Sequence, residues 1–245
     1  MRCPSFTALE SRRRPDFLCR RFFARYLRAI DTFAMTRRLA LLLLVLLPVL
    51  AWAQSPAPVE GQDYAVIPGG QPWAPLDGKI EVVEIFSYTC HHCADFQPEL
   101  EAWKRKLPRD VRVSYVPAAY NPDDNYARAY FAAEQLGVLG KTHAELFKAI
   151  HAVQSVPMSN ASVDELAAFY RQQGVDGAKF KAAMDSPAIV AKMRHARDFA
   201  LASGLEGTPT LIIDGKYRVQ APTHEGALRI AERLIAMERA AATPR

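Results

Sequence analysis

The period of the hydrophobic pattern changes several times along the chain, and each change marks an element. Ile80-Glu81-Val82-Val83-Glu84-Ile85-Phe86 is a β-branched run of the kind carried by a mostly buried strand. Upstream, Tyr64-Ala65-Val66-Ile67 is bounded by Pro68-Gly69-Gly70 and predicts an edge strand. Downstream, Phe96, Leu100, Trp103 and Leu107 recur at helical spacing through ADFQPELEAWKRKL. Pro98 falls inside that pattern and predicts a kink rather than a stop. Val111 to Val116 reads as the next strand, closed by Pro117. Strand, helix and strand together make a βαβ unit, with residues 90–93 at the carboxyl end of its first strand.

From Asp124 to Gly204 helix signals dominate. Thr142 with Glu145, and Ser162 with Glu165, fit the capping box in which each side chain satisfies an orphan amide. Ser186-Pro187 fits a cap followed by proline at the first helical position, and Gly174 and Gly204 stand where helices end in the left-handed conformation. Three apolar stripes follow at helical intervals: Leu146, Phe147 and Ile150; Leu166, Phe169 and Tyr170; Ile189, Val190, Met193, Ala196 and Ala200. Strand signals return at Thr210-Leu211-Ile212-Ile213, and Asp214-Gly215 predicts a hairpin into Lys216-Tyr217-Arg218-Val219. Thr223 caps a final helix carrying Leu228, Ala231, Leu234, Ile235 and Glu238. The expected class is α/β, in the order β-α-β (residues 54–123), an inserted all-helical subdomain (124–204), then β-β-α (205–245).

Another apolar run has a different meaning. Twelve residues from Leu39 to Leu50 follow Arg37-Arg38 and precede Ala51-Trp52-Ala53. A basic start, a short apolar stretch and a small-residue site are the parts of a secretory signal peptide, here residues 35–53, cleaved near Ala53/Gln54. The run is well short of the ~20 residues that cross a bilayer. General secretion is the expected route, with the twin-arginine route the alternative. Residues 1–34 are then expected to be an upstream extension from a mis-assigned start, with a transit peptide second. The net charge of +5 also resides there: residues 1–53 hold ten Lys/Arg and three Asp/Glu, leaving 21 basic against 23 acidic residues. Nothing beyond the signal carries the basic footprint of a nucleic-acid-binding protein.

Of four cysteines, Cys3 and Cys19 fall in the upstream stretch, so the exported protein keeps Cys90 and Cys93. A pair three residues apart closes too small a loop to constrain the unfolded chain much, so chemistry explains it better than stapling. CHHC also spells four metal ligands in a row. Four consecutive residues cannot all wrap one tetrahedral zinc, structural sites draw on two separated pairs, and His143, His151, His195 and His224 are scattered. A redox dithiol remains. Cys90 precedes a helix, whose positive end and free amides favour an anion, and His91 and His92 add donors. Cys93 lies one turn further in and more enclosed. Cys90 is therefore the exchanging sulfur and Cys93 the resolving one.

FSYTCHHCADF at 86–96 and GTPT at 207–210, in this order of elements, resemble the thioredoxin superfamily and, more closely, the DsbA family of periplasmic thiol:disulfide oxidases. The resemblance spans about Tyr64 to about Ala240 and is carried by E-I-F-S-Y-x-C-x-H-C-x-x-F, Pro98, Trp103 and Thr208-Pro209. It implies a thioredoxin fold interrupted by a helical domain, and oxidation of cysteine pairs through a mixed disulfide. The implied partners are unfolded or partly folded exported proteins with free thiols, and a membrane quinone-linked reoxidant of the DsbB type. The implied protein is a monomer that needs neither cofactor nor metal, since the dithiol carries the electrons. Gly-Thr-Pro-Thr alone is an ordinary turn; the resemblance makes Thr208-Pro209 a cis-proline loop facing the dithiol. It keeps His92 in a family position, and makes Glu84 a partly buried carboxylate beneath the dithiol that relays protons to Cys93. The chain departs from the pattern twice. His91 stands where the family has proline, and Thr208 stands where many members have valine. The rival readings are a disulfide isomerase or reductase, and a peptide-binding chaperone with an incidental dithiol. Exported isomerases carry an N-terminal dimerisation domain for which residues 54–78 are too short.

Overall fold

The computed structural model describes residues 56–242; the expected signal peptide, residues 1–34, Cys3 and Cys19 lie outside them. Five strands form one mixed sheet: β1 (Tyr64–Val66), β2 (Ile80–Phe86), β3 (Val111–Pro117), β4 (Thr210–Ile213) and β5 (Tyr217–Val219), in the order β1-β5-β4-β2-β3. β2 runs parallel to β3 and antiparallel to β4, so it is paired on both sides and every one of its residues is buried. The β-branched run dictated this central place, because such side chains pack well on a pleated surface covered on both faces. The Asp214-Gly215 turn joins β4 to β5 with φ of +50° and +68°, the paired left-handed geometry of a tight hairpin. A Cβ on Gly215 would lie 2.0 Å from the carbonyl oxygen of Gln71, so glycine is also required by the approach of the N-terminal segment.

The helix after β2, α1 (His91–Lys104), starts three residues before the expected pattern and runs on through Pro98 without a stop. It ends at Lys104, and Leu107 lies in the tight turn that follows. Five helices separate β3 from β4: α2 (Asn125–Gln135), α3 (Leu139–His151), α4 (Val163–Gln172), α5 (Gly177–Met184) and α6 (Pro187–Ala202). The last helix, α7 (His224–Ala242), packs over β2, β4 and β5 and against α1, where the Trp103 indole donates to Glu232 at 2.8 Å. The insertion reaches the thioredoxin-like part through α3, which packs against α1.

Most local signals hold. Ser162 and Glu165 form the reciprocal capping box of α4, Ser186 caps α6 ahead of Pro187, and Gly174 and Gly204 adopt positive φ just past their helices. Two expectations do not. Thr142 caps nothing: α3 begins at Leu139, and the Thr142 hydroxyl donates back to Val138 O at 3.0 Å from inside the helix. Thr142 is fully buried in α3, whose N-cap is Val138. Val190 is exposed, since Ile189 and Met193 alone turn α6 towards the core at that end. The buried side chains form one cluster through sheet and insertion, each large one worth about 1.5–3 kcal/mol.

Candidate active site

β2 ends at Phe86, and a turn closed by Cys90 N–H donating to Ser87 O at 3.1 Å delivers Cys90 to the N-cap of α1. No side chain caps that helix, so its positive end is left to the sulfur. The half-buried Cys90 thiol donates to Thr208 O at 3.2 Å, and the Thr208–Pro209 bond is cis. Cys93 is buried in the first turn. Burial pushes its thiol well above the ordinary range, and the negative charge of Glu84 pushes it further. Hydrogen bonds at the Ser87 backbone and the Thr208 side chain act weakly the other way. Cys90 and Cys93 stand as two free thiols in this structure.

Glu84 was expected to be partly buried; it is wholly so, at 1% exposure in the middle of the sheet, between Tyr115 on β3 and Leu211 on β4. Burial raises its pKa to about 8, with the charges of Cys90 and then Glu101 adding to the shift. Its Oε1 has no hydrogen-bond partner among the described residues. Glu81, three residues earlier and equally buried, accepts from Trp73 N–H at 2.8 Å, Arg112 Nη2 at 2.7 Å and Ser114 Oγ at 3.3 Å. One carboxylate is met by three donors, and the other leaves an oxygen unsatisfied where Cys93 feels its charge.

His91 and His92 are exposed, with ring centroids 3.9 Å apart. With Asp95 they place ligand atoms within 4.8 Å of one another, which is the nearest the described residues come to a metal centre. All three are exposed and come from one helical turn, at the helix end where a positive charge is disfavoured. Beside the sulfurs lies a cleft of about 280 Å³, lined by His92, Phe96, Thr208, Pro209, Leu211 and His224 among others.

The fold thus brings Cys90, Cys93, His91, His92, Thr208, Pro209 and Glu84 to one end of the sheet. Sequence reasoning missed three residues behind them. Tyr88, in the turn before Cys90, hydrogen-bonds through its hydroxyl to His143 Nδ1 at 2.7 Å, and its carbonyl accepts from His151 Nε2 at 2.7 Å. The available signal was the spacing of His143, Phe147 and His151, each four residues from the next and so on one helical face.

The chain matches the thioredoxin family over residues 73–232. It is 36% identical over 195 residues to the thiol:disulfide interchange protein DsbA of Pseudomonas syringae pv. tomato, covering 78% of this chain and 89% of that one. The Pseudomonas aeruginosa DsbA is 36% identical over 198 residues, with 78% and 90% covered. Among solved structures, the oxidoreductase DsbA from Xylella fastidiosa superposes with a TM-score of 0.73 at 46% identity, covering 76% of this chain and all of that one. With its dithiol at a helix N-terminus, and with relatives matched over nearly their whole length, the chain belongs to the DsbA family of thiol:disulfide oxidoreductases.

Proposed function

We propose that the mature chain oxidises cysteine pairs in newly exported proteins, with Cys90 as the exchanging sulfur and Cys93 as the resolving one. The observation that carries this is the Cys90 thiol at the α1 N-cap, 3.2 Å from Thr208 O at a cis Thr208–Pro209 bond. In the oxidised enzyme, a substrate thiolate attacks Cys90. The substrate–Cys90 bond forms, the Cys90–Cys93 bond breaks, and Cys93 leaves and takes up a proton. A second substrate thiolate then attacks the substrate sulfur of the mixed disulfide and expels Cys90 as thiolate. The substrate has lost two electrons and the enzyme has gained them. Cys90 is the better leaving group because it stands at a positive helix end, whereas the enclosure of Cys93 makes its bare thiolate costly. Glu84, which keeps its proton at neutral pH, hands that proton to Cys93 as the bond breaks. Substrate lies in the cleft along Thr208 and Pro209, with His92 at its edge. His91 stands at the first helical position, where it sets how strongly the helix start favours the Cys90 anion.

In this reading residues 35–53 direct export to the periplasm, residues 54–123 and 205–245 form the thioredoxin-like domain, and residues 124–204 form the helical subdomain. The protein acts as a monomer, needs no cofactor or metal, and is reoxidised by a quinone-linked membrane partner of the DsbB type. The test is equilibration of Cys90–Cys93 against a glutathione series, alongside oxidation of a dithiol peptide. Wild type is expected to oxidise the peptide in many turnovers when glutathione disulfide is supplied. Cys93→Ser cannot form the Cys90–Cys93 bond and is expected to accumulate a Cys90–glutathione mixed disulfide in its place, and Cys90→Ser to form none. A dithiol as reducing as that of thioredoxin would instead establish a reductase or isomerase.

A further inference from the structure

The sulfur that exchanges is presented by a four-residue turn, Ser87-Tyr88-Thr89-Cys90, closed by the Cys90 N–H to Ser87 O bond. The central peptide of such a turn, here between Tyr88 and Thr89, has two alternative orientations. They differ by a rotation that swaps where its C=O and N–H point. Both groups of this peptide are held. Thr89 N–H donates to Ser87 Oγ at 3.3 Å, and Ser87 Oγ and Thr89 Oγ1 are themselves 2.9 Å apart. The Tyr88 carbonyl accepts from His151 Nε2 at 2.7 Å, a bond that spans 63 residues and comes from the last residue of α3. A carbonyl only accepts, so Nε2 of His151 carries the hydrogen.

The Tyr88 side chain is fixed from the same helix. Its hydroxyl meets His143 Nδ1 at 2.7 Å within a cage of Phe86, Tyr115, Tyr130 and Phe147. Burial lowers the pKa of His143 to about 3, so that ring is neutral and serves as a fixed polar contact rather than a titrating one. Two histidines of one helix therefore grip one residue of the turn, one at its main chain and one at its side chain.

We propose that His151 is a positioning residue for thiol–disulfide exchange: its bond to the Tyr88 carbonyl locks the central peptide of the turn that presents Cys90, and so makes the helical insertion part of the redox site. The proposal rests on Cys90 being the exchanging sulfur. Without the bond, the Tyr88–Thr89 peptide gains its second orientation. Cys90 then no longer has one fixed setting against the α1 N-terminus and Thr208 O.

The test compares wild type with His151→Leu, which keeps bulk but has no donor, and His151→Gln, whose amide nitrogen reaches the same place as Nε2. The readouts are the rate of dithiol-peptide oxidation, the glutathione equilibrium constant, the thiolate absorbance of Cys90 across pH, and the urea midpoint. His151→Leu is expected to slow exchange by up to about a hundredfold, the scale of a reacting group misplaced by about 1 Å, and to shift the glutathione equilibrium constant and the thiolate titration. His151→Gln is expected to restore all three to near wild type. Should His151→Leu not fold, His151→Met offers similar length without a donor. Equal loss in the Leu and Gln variants, or a Leu variant with wild-type exchange, equilibrium and titration, overturns the proposal while leaving the redox reading intact. A wild-type protein that does not exchange at Cys90 overturns the redox reading itself.

Discussion

Two glutamates on one strand show how much a single residue's fate depends on its partners. Glu81 and Glu84 share the run IEVVEIF, and both are buried. Glu81 has an arginine and two further donors. Glu84 has burial and two negative neighbours, so it holds its proton up to about pH 8. The stability consequence has a definite sign. Below about pH 4.5 the carboxyl is protonated whether the chain is folded or not, and it contributes nothing. Between about 4.5 and 8 the unfolded chain releases the proton and the folded chain keeps it, so stability falls by about 1.4 kcal/mol per pH unit. Above that window the loss is complete. Glu84→Gln removes the ionisation, so its stability relative to wild type should improve by several kcal/mol, on the order of 4, from pH 4 to pH 8.5. Urea unfolding at the two pH values checks this; a constant difference between variant and wild type would mean that Glu84 ionises normally.

At the scale of elements, the helix ends were written locally and the helix faces were not. Ser162, Ser186, Gly174 and Gly204 act where the sequence put them, because a cap is made within three or four residues. Thr142 shows the limit of that rule, since it lies buried inside α3, which begins at Leu139. The start of the insertion depends on the half-buried Asp124, which accepts from the amides of Tyr126 at 2.9 Å and Ala127 at 3.1 Å. Asp124→Ala should cost about 1–2 kcal/mol, and Asp124→Asn much less, because asparagine offers the same acceptor. Thermal unfolding of the pair measures the difference; equal losses would show that charge, not capping, is what Asp124 supplies.

Over the whole molecule, the sheet is tied to the segment that precedes it by one buried carboxylate. Glu81 holds Trp73 N–H and Arg112, and Arg112 in turn donates to the carbonyls of Ala74 and Pro75. Trp73 stacks on His195 of α6 with ring centroids 4.2 Å apart, so the same tie reaches the helical insertion. Glu81→Ala leaves Arg112 without its carboxylate and the Trp73 amide without its acceptor, a loss of about 3–5 kcal/mol. The denaturation midpoint should drop accordingly, and Trp73 should become more open to fluorescence quenchers. A variant as stable as wild type would show that the segment is held by its apolar contacts alone.

The strands, the caps at Ser162 and Ser186, the hairpin turn and the redox pair were readable along the chain, because each rests on neighbours a few residues apart. The CHHC spacing alone put two sulfurs in one helical turn, and the order of elements put an insertion between the two halves of the fold. The rest required distant parts to meet. Thr208 reaches Cys90 across 118 residues, and His143 and His151 reach Tyr88 across 55 and 63. Glu81 and Glu84 lie three residues apart on one buried strand, and only the partners that reach them across the fold separate them: Arg112 pairs with Glu81, while Glu84 Oε1 has no partner among the described residues. Contacts of that range leave no periodicity to read: they arise when the sheet and the helical insertion close on each other, and they decide which polar groups are paired and which are left to react.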